Sequence, residues 1–158
     1  MCQAGAKSAI IPLGGNVQTL GLKPYGSNWN VAIEDPNDTS QYAGVLSVGE
    51  TAVITSGSYQ RYFEKDGKTY PHILDPHTGY PADSGLKSVT IVCTSGVTAD
   101  CLSTALFVLG KDAALDYWRT YGGFEMILIT QDDQIVCTSG LKSIFTLSNN
   151  SYSVAFTD

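Results

Sequence analysis

Hydrophobic and polar positions alternate along much of the first ninety residues, with the two-residue period typical of β-strands. Strands are predicted over residues 8–13, 16–22, 29–33, 45–48, 51–55, 59–63 and 86–93. Asp66-Gly67 is the strongest hairpin signal in the chain, because this pair readily adopts the positive φ angles of a two-residue turn. The polar residues 34–40 predict an exposed turn, and the Pro- and Gly-rich residues 71–81 predict irregular backbone.

After residue 95 the hydrophobic period becomes helical. Apolar side chains at 99, 102, 105, 106, 107 and 109 predict a helix over residues 98–109. Either Ser95 or Thr98 caps its start, and Gly110 ends it. A second helix is predicted over 113–121, followed by a hairpin of 124–130 with 134–138 and a strand over 142–147. Residues 152–158 either add an edge strand or fray. This order predicts an α+β fold with a mixed, mostly antiparallel sheet and two consecutive helices.

Composition narrows the class of protein. A length of 158 residues without a linker predicts a single domain over residues 1–158, and 43% hydrophobic residues exclude a disordered chain. Nine cationic and fifteen acidic residues give a net charge of −6, which argues against a nucleic-acid partner. No apolar run reaches the length of about 18 residues that a membrane span needs.

The four cysteines do not form a Cys-x-x-Cys pair, which disfavours a zinc ribbon or a thioredoxin-type site. Their apolar contexts predict that Cys93 and Cys101 are buried free thiols. No secretory signal is visible near Cys2, so the chain is either cytosolic or lacks an N-terminal segment.

Both histidines of the chain fall within residues 71–81, where Asp75 lies between His72 and His77. A loop made rigid by Pro and Gly is a suitable mount for a general base. Two alternatives remain open at this point. Asp75 could instead hydrogen-bond backbone amides in an Asx-turn, or the three side chains could hold a transition metal.

A second candidate lies on the first predicted helix, where Asp100 and Thr104 share a face and Ser103 lies beside them. One carboxylate with hydroxyl oxygens suits Mg²⁺ completed by water and a phosphate. The alternative is a first-turn aspartate that caps the helix, with hydroxyls bonded to backbone carbonyls.

Two turns offer free backbone amides for a ligand. The Ser-Gly-Ser turn after Thr55 can hold a phosphate, a ribose or a ring edge, and it can also be a simple strand break. Gly14-Gly15-Asn16 permits close backbone approach to a ligand or forms a turn. Neither sequence is a Walker or dinucleotide-binding loop.

The order and spacing of these motifs resemble one family over nearly the whole chain. SAIIPLGGNV (8–17), VITSGSY (53–59), YPHILDPHTGYP (70–81), LKSVTI (86–91) and TADCLSTALFVLG (98–110) resemble the ApbE-type FAD:protein FMN transferases. The resemblance implies a T-fold-like α+β domain. It also implies a Mg²⁺-dependent enzyme that splits FAD and attaches FMN through a phosphoester to a threonine of a target protein. Typical targets belong to sodium-pumping or Rnf-type electron-transfer complexes.

The resemblance implies roles for particular residues. By motif, His72 matches the base that activates the acceptor threonine, and Asp75 belongs with it in the catalytic loop. The flavin-binding positions that match the family are Thr55, Ser56, Gly57, Leu74, Thr78 and Gly79. The metal ligands that match are Asp100, Ser103 and Thr104. His77 departs from the Arg or Lys that the family often carries.

The family also has an N-terminal half that supplies much of the FAD pocket, including a Gly-x-x-Ala-Lys-Gly-Tyr stretch that residues 4–8 do not match. We therefore expect this chain alone to bind FAD weakly and to transfer little flavin. We also expect a homodimer, a separate N-terminal half or a large apolar patch at the surface that this half would cover.

Two alternatives to flavin transfer remain open. The chain could be an inactive remnant, or a metal- or ligand-binding interaction module that uses the histidine loop. The family is bacterial and mostly periplasmic or membrane-anchored outside the cytoplasm, but the sequence leaves the compartment of this chain open.

Overall fold

A computed structural model describes residues 5–158, apart from the side chains of residues 68 and 69. The strands and helices are β1 (Ala9–Leu13), β2 (Asn16–Leu20), β3 (Trp29–Asp35), β4 (Asp38–Val48), β5 (Ala52–Gly57), β6 (Tyr62–Lys65), β7 (Lys68–Pro71), β8 (Leu86–Cys93), α1 (Gly96–Leu109), α2 (Lys111–Tyr121), β9 (Glu125–Thr130), β10 (Gln134–Thr138), β11 (Phe145–Leu147) and β12 (Ser153–Thr157). A short 3₁₀ helix, Ser139–Leu141, follows β10.

The strands form a seven-stranded sheet in the order β1-β2-β5-β8-β9-β10-β12 and a three-stranded sheet in the order β11-β4-β3. Within the larger sheet β10 and β12 are parallel and the other neighbours are antiparallel. The predicted α+β class, with its mixed and mostly antiparallel sheet, is therefore confirmed. The predicted hairpin is also present, with Asp66 (φ 53°) and Gly67 (φ 71°) joining β6 to β7.

The seven-stranded sheet is covered on both faces. Strand β9 shows this by alternation, since Met126 and Leu128 pack beneath the helices, whereas Ile127 and Ile129 pack against the three-stranded sheet. All four side chains are fully buried. Each contributes about 1.5–3 kcal/mol of hydrophobic stabilisation. Burial on both faces explains why β8 and β9 are almost continuously apolar.

Helix α1 begins two residues before the predicted start. Ser95 is the N-cap, and its side chain accepts a hydrogen bond from the Thr98 amide at 3.2 Å. Gly110 ends the helix at φ 82° and donates its amide to Leu106. Because the helix starts at Gly96, no acidic residue lies in its first turn. The expectation that Asp100 lies there was wrong, and the capping explanation for this carboxylate falls with it.

Two element predictions near the three-stranded sheet need correction. Residues 34–40 are not one exposed turn, because β3 runs to Asp35 and β4 begins at Asp38. Asp35 is only 1% exposed, and its buried carboxylate accepts hydrogen bonds from Tyr152 and Asn149. The strand predicted over 142–147 is shorter, because the 3₁₀ helix precedes it and only Phe145–Leu147 pairs with β4.

The cysteine prediction was also partly wrong. Cys101 is exposed and Cys93 is half-buried, whereas Cys137 is buried. Helix α1 points Ala99, Ser103 and Leu106 into the core, and this geometry leaves Cys101 on the outer face. Burial raises the pKa of the Cys137 thiol to about 12. Cys2 lies outside the described residues. Among the described helices, none is long and apolar enough to cross a membrane.

Candidate functional site

A polar cleft of about 440 Å³ opens where the β1–β2 turn, β3, the end of β5, the start of β6 and α1 meet. Its lining residues are Gly14, Gly15, Asn16, Glu34, Thr55, Ser56, Gln60, Arg61, His72, Asp100 and Thr104. Gly14 and Gly15 both have positive φ, 58° and 92°, as a two-residue type I′ turn requires. The turn places Asn16 at the mouth of the cleft.

Ser56 connects the end of β5 to α1 at the base of the cleft. Its Oγ lies 2.8 Å from Ser103 Oγ and 2.9 Å from Thr104 Oγ1. Ser103 is fully buried and also donates to the backbone carbonyl of Asp100 at 3.0 Å. Gly57 follows Ser56 because a Cβ there would lie 2.5 Å from the ring of Tyr59. The hydroxyl of Thr104 therefore reaches the cleft from a fixed position.

Asp100 and Asn16 contact each other in the lining of the cleft. Asn16 Nδ2 donates to Asp100 Oδ1 at 3.5 Å, and Asn16 Oδ1 accepts the Thr55 amide at 3.2 Å. Asp100 and Thr104 are exposed residues one turn apart on α1, and both line the cleft. Their carboxylate and hydroxyl oxygens are the hard donors that Mg²⁺ prefers, so the residues present fit a magnesium ion.

His72 directly follows β7 and lies opposite Arg61. The His72 amide donates to the Arg61 carbonyl, and the imidazole Nδ1 lies 3.0 Å from the same oxygen. A carbonyl oxygen only accepts, so the ring donates from Nδ1. In the neutral imidazole Nε2 then carries the lone pair, which is the state a general base needs.

The remaining residues of the histidine loop lie outside this cleft. Asp75 accepts hydrogen bonds from the His77 amide at 2.8 Å and from Thr78 Oγ1 at 3.3 Å. Its backbone bonds to Gly79 and Tyr80, so Asp75 organises the turn as the Asx-turn alternative expects. Leu74, Thr78 and Gly79 are exposed and do not line the cleft.

The transition-metal alternative does not form. His77 lies in the exposed turn, and only its backbone amide is hydrogen-bonded to Asp75. Within residues 5–158 the described His, Cys, Asp and Glu side chains do not form a group of three that could hold a metal ion. Magnesium differs from this case because hydroxyl oxygens complete its ligand set.

Sequence reasoning missed three lining residues, Glu34, Gln60 and Arg61. The sequence contained a signal for Arg61, because counting outward from the Asp66-Gly67 turn pairs residue 61 with His72. Glu34 comes from the three-stranded sheet, and no sequence signal connects it with the other residues of the cleft. Burial first, and the charge of Glu34 second, raise the pKa of Tyr59 beside the cleft.

A second cleft, of about 600 Å³, is larger than the first. It is lined chiefly by Tyr59, Tyr62, Tyr70, Tyr80 and Leu86. None of its lining residues is among the predicted catalytic, flavin-binding or metal-binding positions. The smaller polar cleft is therefore the candidate site, since it brings together His72, Thr55, Ser56, Asp100 and Thr104.

The cleft thus combines a histidine with an available ring nitrogen and the carboxylate and hydroxyl oxygens of Asp100 and Thr104. The model of the ApbE family matches residues 1–128. The chain therefore belongs to the ApbE family, which confirms the resemblance seen in its motifs.

Curated relatives and solved structures agree with this assignment. The chain is 42% identical to an FAD:protein FMN transferase of Treponema pallidum, covering 85% of this chain and 40% of the relative. It is 37% identical to one of Klebsiella pneumoniae, covering 96% and 46%. The ApbE protein of Thermotoga maritima has a TM-score of 0.78 at 37% identity, covering 87% of this chain and 44% of that one. The chain spans less than half the length of these relatives.

Proposed function

We propose that this chain provides the catalytic cleft of a Mg²⁺-dependent FAD:protein FMN transferase that modifies a threonine of a protein acceptor. Two observations support the proposal: the names of its relatives, and the presence of His72, Asp100 and Thr104 in the lining of one cleft. The hydrogen bond from His72 Nδ1 to the Arg61 carbonyl is the main support for the proposal, because it leaves Nε2 available as a base.

In the proposed reaction the acceptor threonine Oγ attacks the phosphorus on the FMN side of the FAD pyrophosphate. A new P–O bond forms to threonine, the bridging P–O bond breaks, and AMP leaves. The threonine proton passes to His72 Nε2, because an alcohol is a weak nucleophile while it keeps its proton. FMN thereby becomes linked to the acceptor through a phosphoester.

Asp100 and Thr104 are the residues that would hold Mg²⁺ in this proposal. Magnesium bound there would neutralise negative charge on the pyrophosphate. Ser56 and Ser103 support Thr104 from below, because their hydroxyls form one hydrogen-bonded group with it. Asn16 keeps the Asp100 carboxylate turned toward the cleft.

The test is single-turnover flavin transfer with the chain in excess. The 158-residue chain is incubated with FAD, Mg²⁺ and a flavin-acceptor subunit of a sodium-pumping complex, and covalent label is measured by in-gel flavin fluorescence. We expect slow labelling, because the relatives are more than twice as long and their additional chain would supply further flavin contacts. His72→Ala should lower the rate by about 10²–10⁴-fold, the usual contribution of a general base.

Two matched controls accompany this assay. His77→Ala removes the other histidine, which lies outside the cleft, and should leave the rate unchanged. An acceptor whose target threonine is replaced by alanine should remain unlabelled. If His72→Ala labels as fast as the parent chain, the proposed role of His72 is wrong. If the parent chain does not label the acceptor, these 158 residues are not sufficient for flavin transfer.

A further inference from the structure

The cleft contains one permanently cationic side chain that the proposed function has not used. Among the described residues that line it, Glu34 and Asp100 are carboxylates and Arg61 alone is Lys or Arg. The whole chain carries a net charge of −6. An anionic ligand that enters this cleft therefore meets two negative side chains, and its binding requires positive charge nearby.

Arg61 is held directly opposite the candidate base. The β6–β7 register pairs Tyr62 with Pro71, so the next pair outward is Arg61 with His72. The hydrogen bond from the His72 amide to the Arg61 carbonyl, 3.0 Å long, confirms that pairing. Side chains directly opposite in an antiparallel pair lie on one face, with Cβ atoms about 4.5–5.5 Å apart. Both side chains line the cleft, so the guanidinium and the imidazole serve the same space.

The guanidinium of Arg61 is not engaged by the protein. Across the described part of the chain, the ion pairs join Lys87 to Asp133 and Arg119 to Asp116. Arg61 forms no side-chain hydrogen bond or ion pair there, although two carboxylates line the same cleft. Its five N–H donors are free for a ligand, and their planar fork matches two oxygens of one phosphate.

We infer that Arg61 binds the phosphate oxygens of a diphosphate substrate beside His72. This inference rests on the proposed function and adds to it the residue that recognises the anionic group. The backbone carbonyl of Arg61 orients the imidazole of His72. The guanidinium of Arg61 binds oxygens of the phosphate that the acceptor attacks. The two roles fall on one residue because the hairpin register sets both.

The experiment measures binding of inorganic pyrophosphate to the 158-residue chain by NMR titration at constant ionic strength, without and with Mg²⁺. Arg61→Ala should weaken binding at least about tenfold, the scale of a hydrogen bond to a charged group. Arg61→Lys should recover part of that loss, because lysine keeps the charge without the fork. Lys65→Ala, on the same hairpin and outside the cleft, removes an equal charge and should leave binding unchanged.

Each result decides the inference. Absence of pyrophosphate binding by the parent, equal binding by Arg61→Ala, or an equal loss in Lys65→Ala would overturn it. The flavin-transfer assay separates the two proposals. Arg61-dependent pyrophosphate binding, together with flavin transfer that His72→Ala does not slow, would support the anion site and reject the proposed role of His72 in the cleft. Flavin transfer that is unaffected by Arg61→Ala would reject the role of Arg61 in phosphate binding and leave the proposed function in place.

Discussion

At the scale of single residues, Ser56 is the point on which the base of the cleft depends. Its hydroxyl is shared between Ser103 and Thr104, and both Ser56 and Ser103 are buried. Buried hydroxyls need partners, because an unpaired one loses its water without compensation. One serine thus secures both the packing of α1 against β5 and the position of the Thr104 hydroxyl.

Ser56→Ala is expected to lower the free energy of unfolding by about 1–3 kcal/mol, because it leaves buried hydroxyl groups with fewer partners. Urea denaturation followed by circular dichroism measures this loss. Ser143→Ala provides the control, since Ser143 is exposed, and it should change stability by less than about 0.5 kcal/mol. Equal stabilities for Ser56→Ala and the parent would show that the hydroxyl group contributes nothing to the fold.

At the scale of elements, different residues of helix α1 cap its N-terminus and line the cleft. Ser95 is the cap, and its side chain accepts hydrogen bonds from the Thr98 amide and the Thr98 hydroxyl. Asp100 lies one turn further on, with its carboxylate exposed toward the cleft. Because capping and the candidate metal site use different residues, stability and ion binding should respond to different substitutions.

Ser95→Ala should destabilise the protein by about 0.5–2 kcal/mol, the usual cost of losing an N-cap side chain. Asp100→Asn should change stability by less than about 0.5 kcal/mol, because Asp100 is exposed and lies beyond the first turn. Thr94→Ala, exposed and outside the helix, is the matched control. Thermal and urea unfolding of the three variants measure these effects. A loss in Asp100→Asn as large as that in Ser95→Ala would restore the capping explanation.

At the scale of the whole molecule, a buried polar group ties the β3–β4 turn to the C-terminal segment. The Asp35 carboxylate accepts hydrogen bonds from Tyr152, from Asn149 and from the Asn37 amide. Burial pushes the pKa of Asp35 upward, but these hydrogen bonds outweigh it and hold the pKa below its ordinary value. Ionised Asp35 therefore stabilises the contact between segments that lie more than a hundred residues apart.

Tyr152→Phe should lower the free energy of unfolding at pH 7 by about 1.5–3 kcal/mol, since it removes a hydrogen bond to a buried charge. A lowered carboxyl pKa stabilises the fold above the ordinary aspartate pKa, and this stability is lost as the pH falls through the folded-state pKa. The two chains should therefore begin to converge in stability only below about pH 4, the ordinary aspartate pKa, and become equal below the lower folded-state pKa. Urea denaturation between pH 3 and pH 8 measures this. Tyr42→Phe, at an exposed tyrosine, should follow the parent throughout, and a pH-independent loss in Tyr152→Phe would contradict the argument.

Local patterns in the sequence determined most of the elements. Two-residue alternation, the Asp66-Gly67 turn and the helical spacing after residue 95 are properties of neighbouring residues, so they can be read without the fold. The class of fold followed from these patterns, and the family followed from the order of the motifs. The resemblance then predicted His72, Asp100 and Thr104 as site residues. Capping and burial were less accessible, as Asp100, Cys101 and Asp35 show, because one shifted helix start or one distant partner changes them.

The assembly of the cleft was decided only by the tertiary structure. Asn16, Glu34, Arg61 and Asp100 come from four separate segments. They meet because β2 pairs with β5 in the larger sheet, α1 packs against β5 on one face of that sheet, and the smaller sheet covers the other face. The tertiary structure also places Asp75 in a separate turn, outside the cleft, and buries Ser103 beside Ser56. A sequence specifies which side chains carry chemistry. Long-range strand pairing and packing on both faces of the sheet decide which of them meet, because those contacts join residues that no local pattern connects.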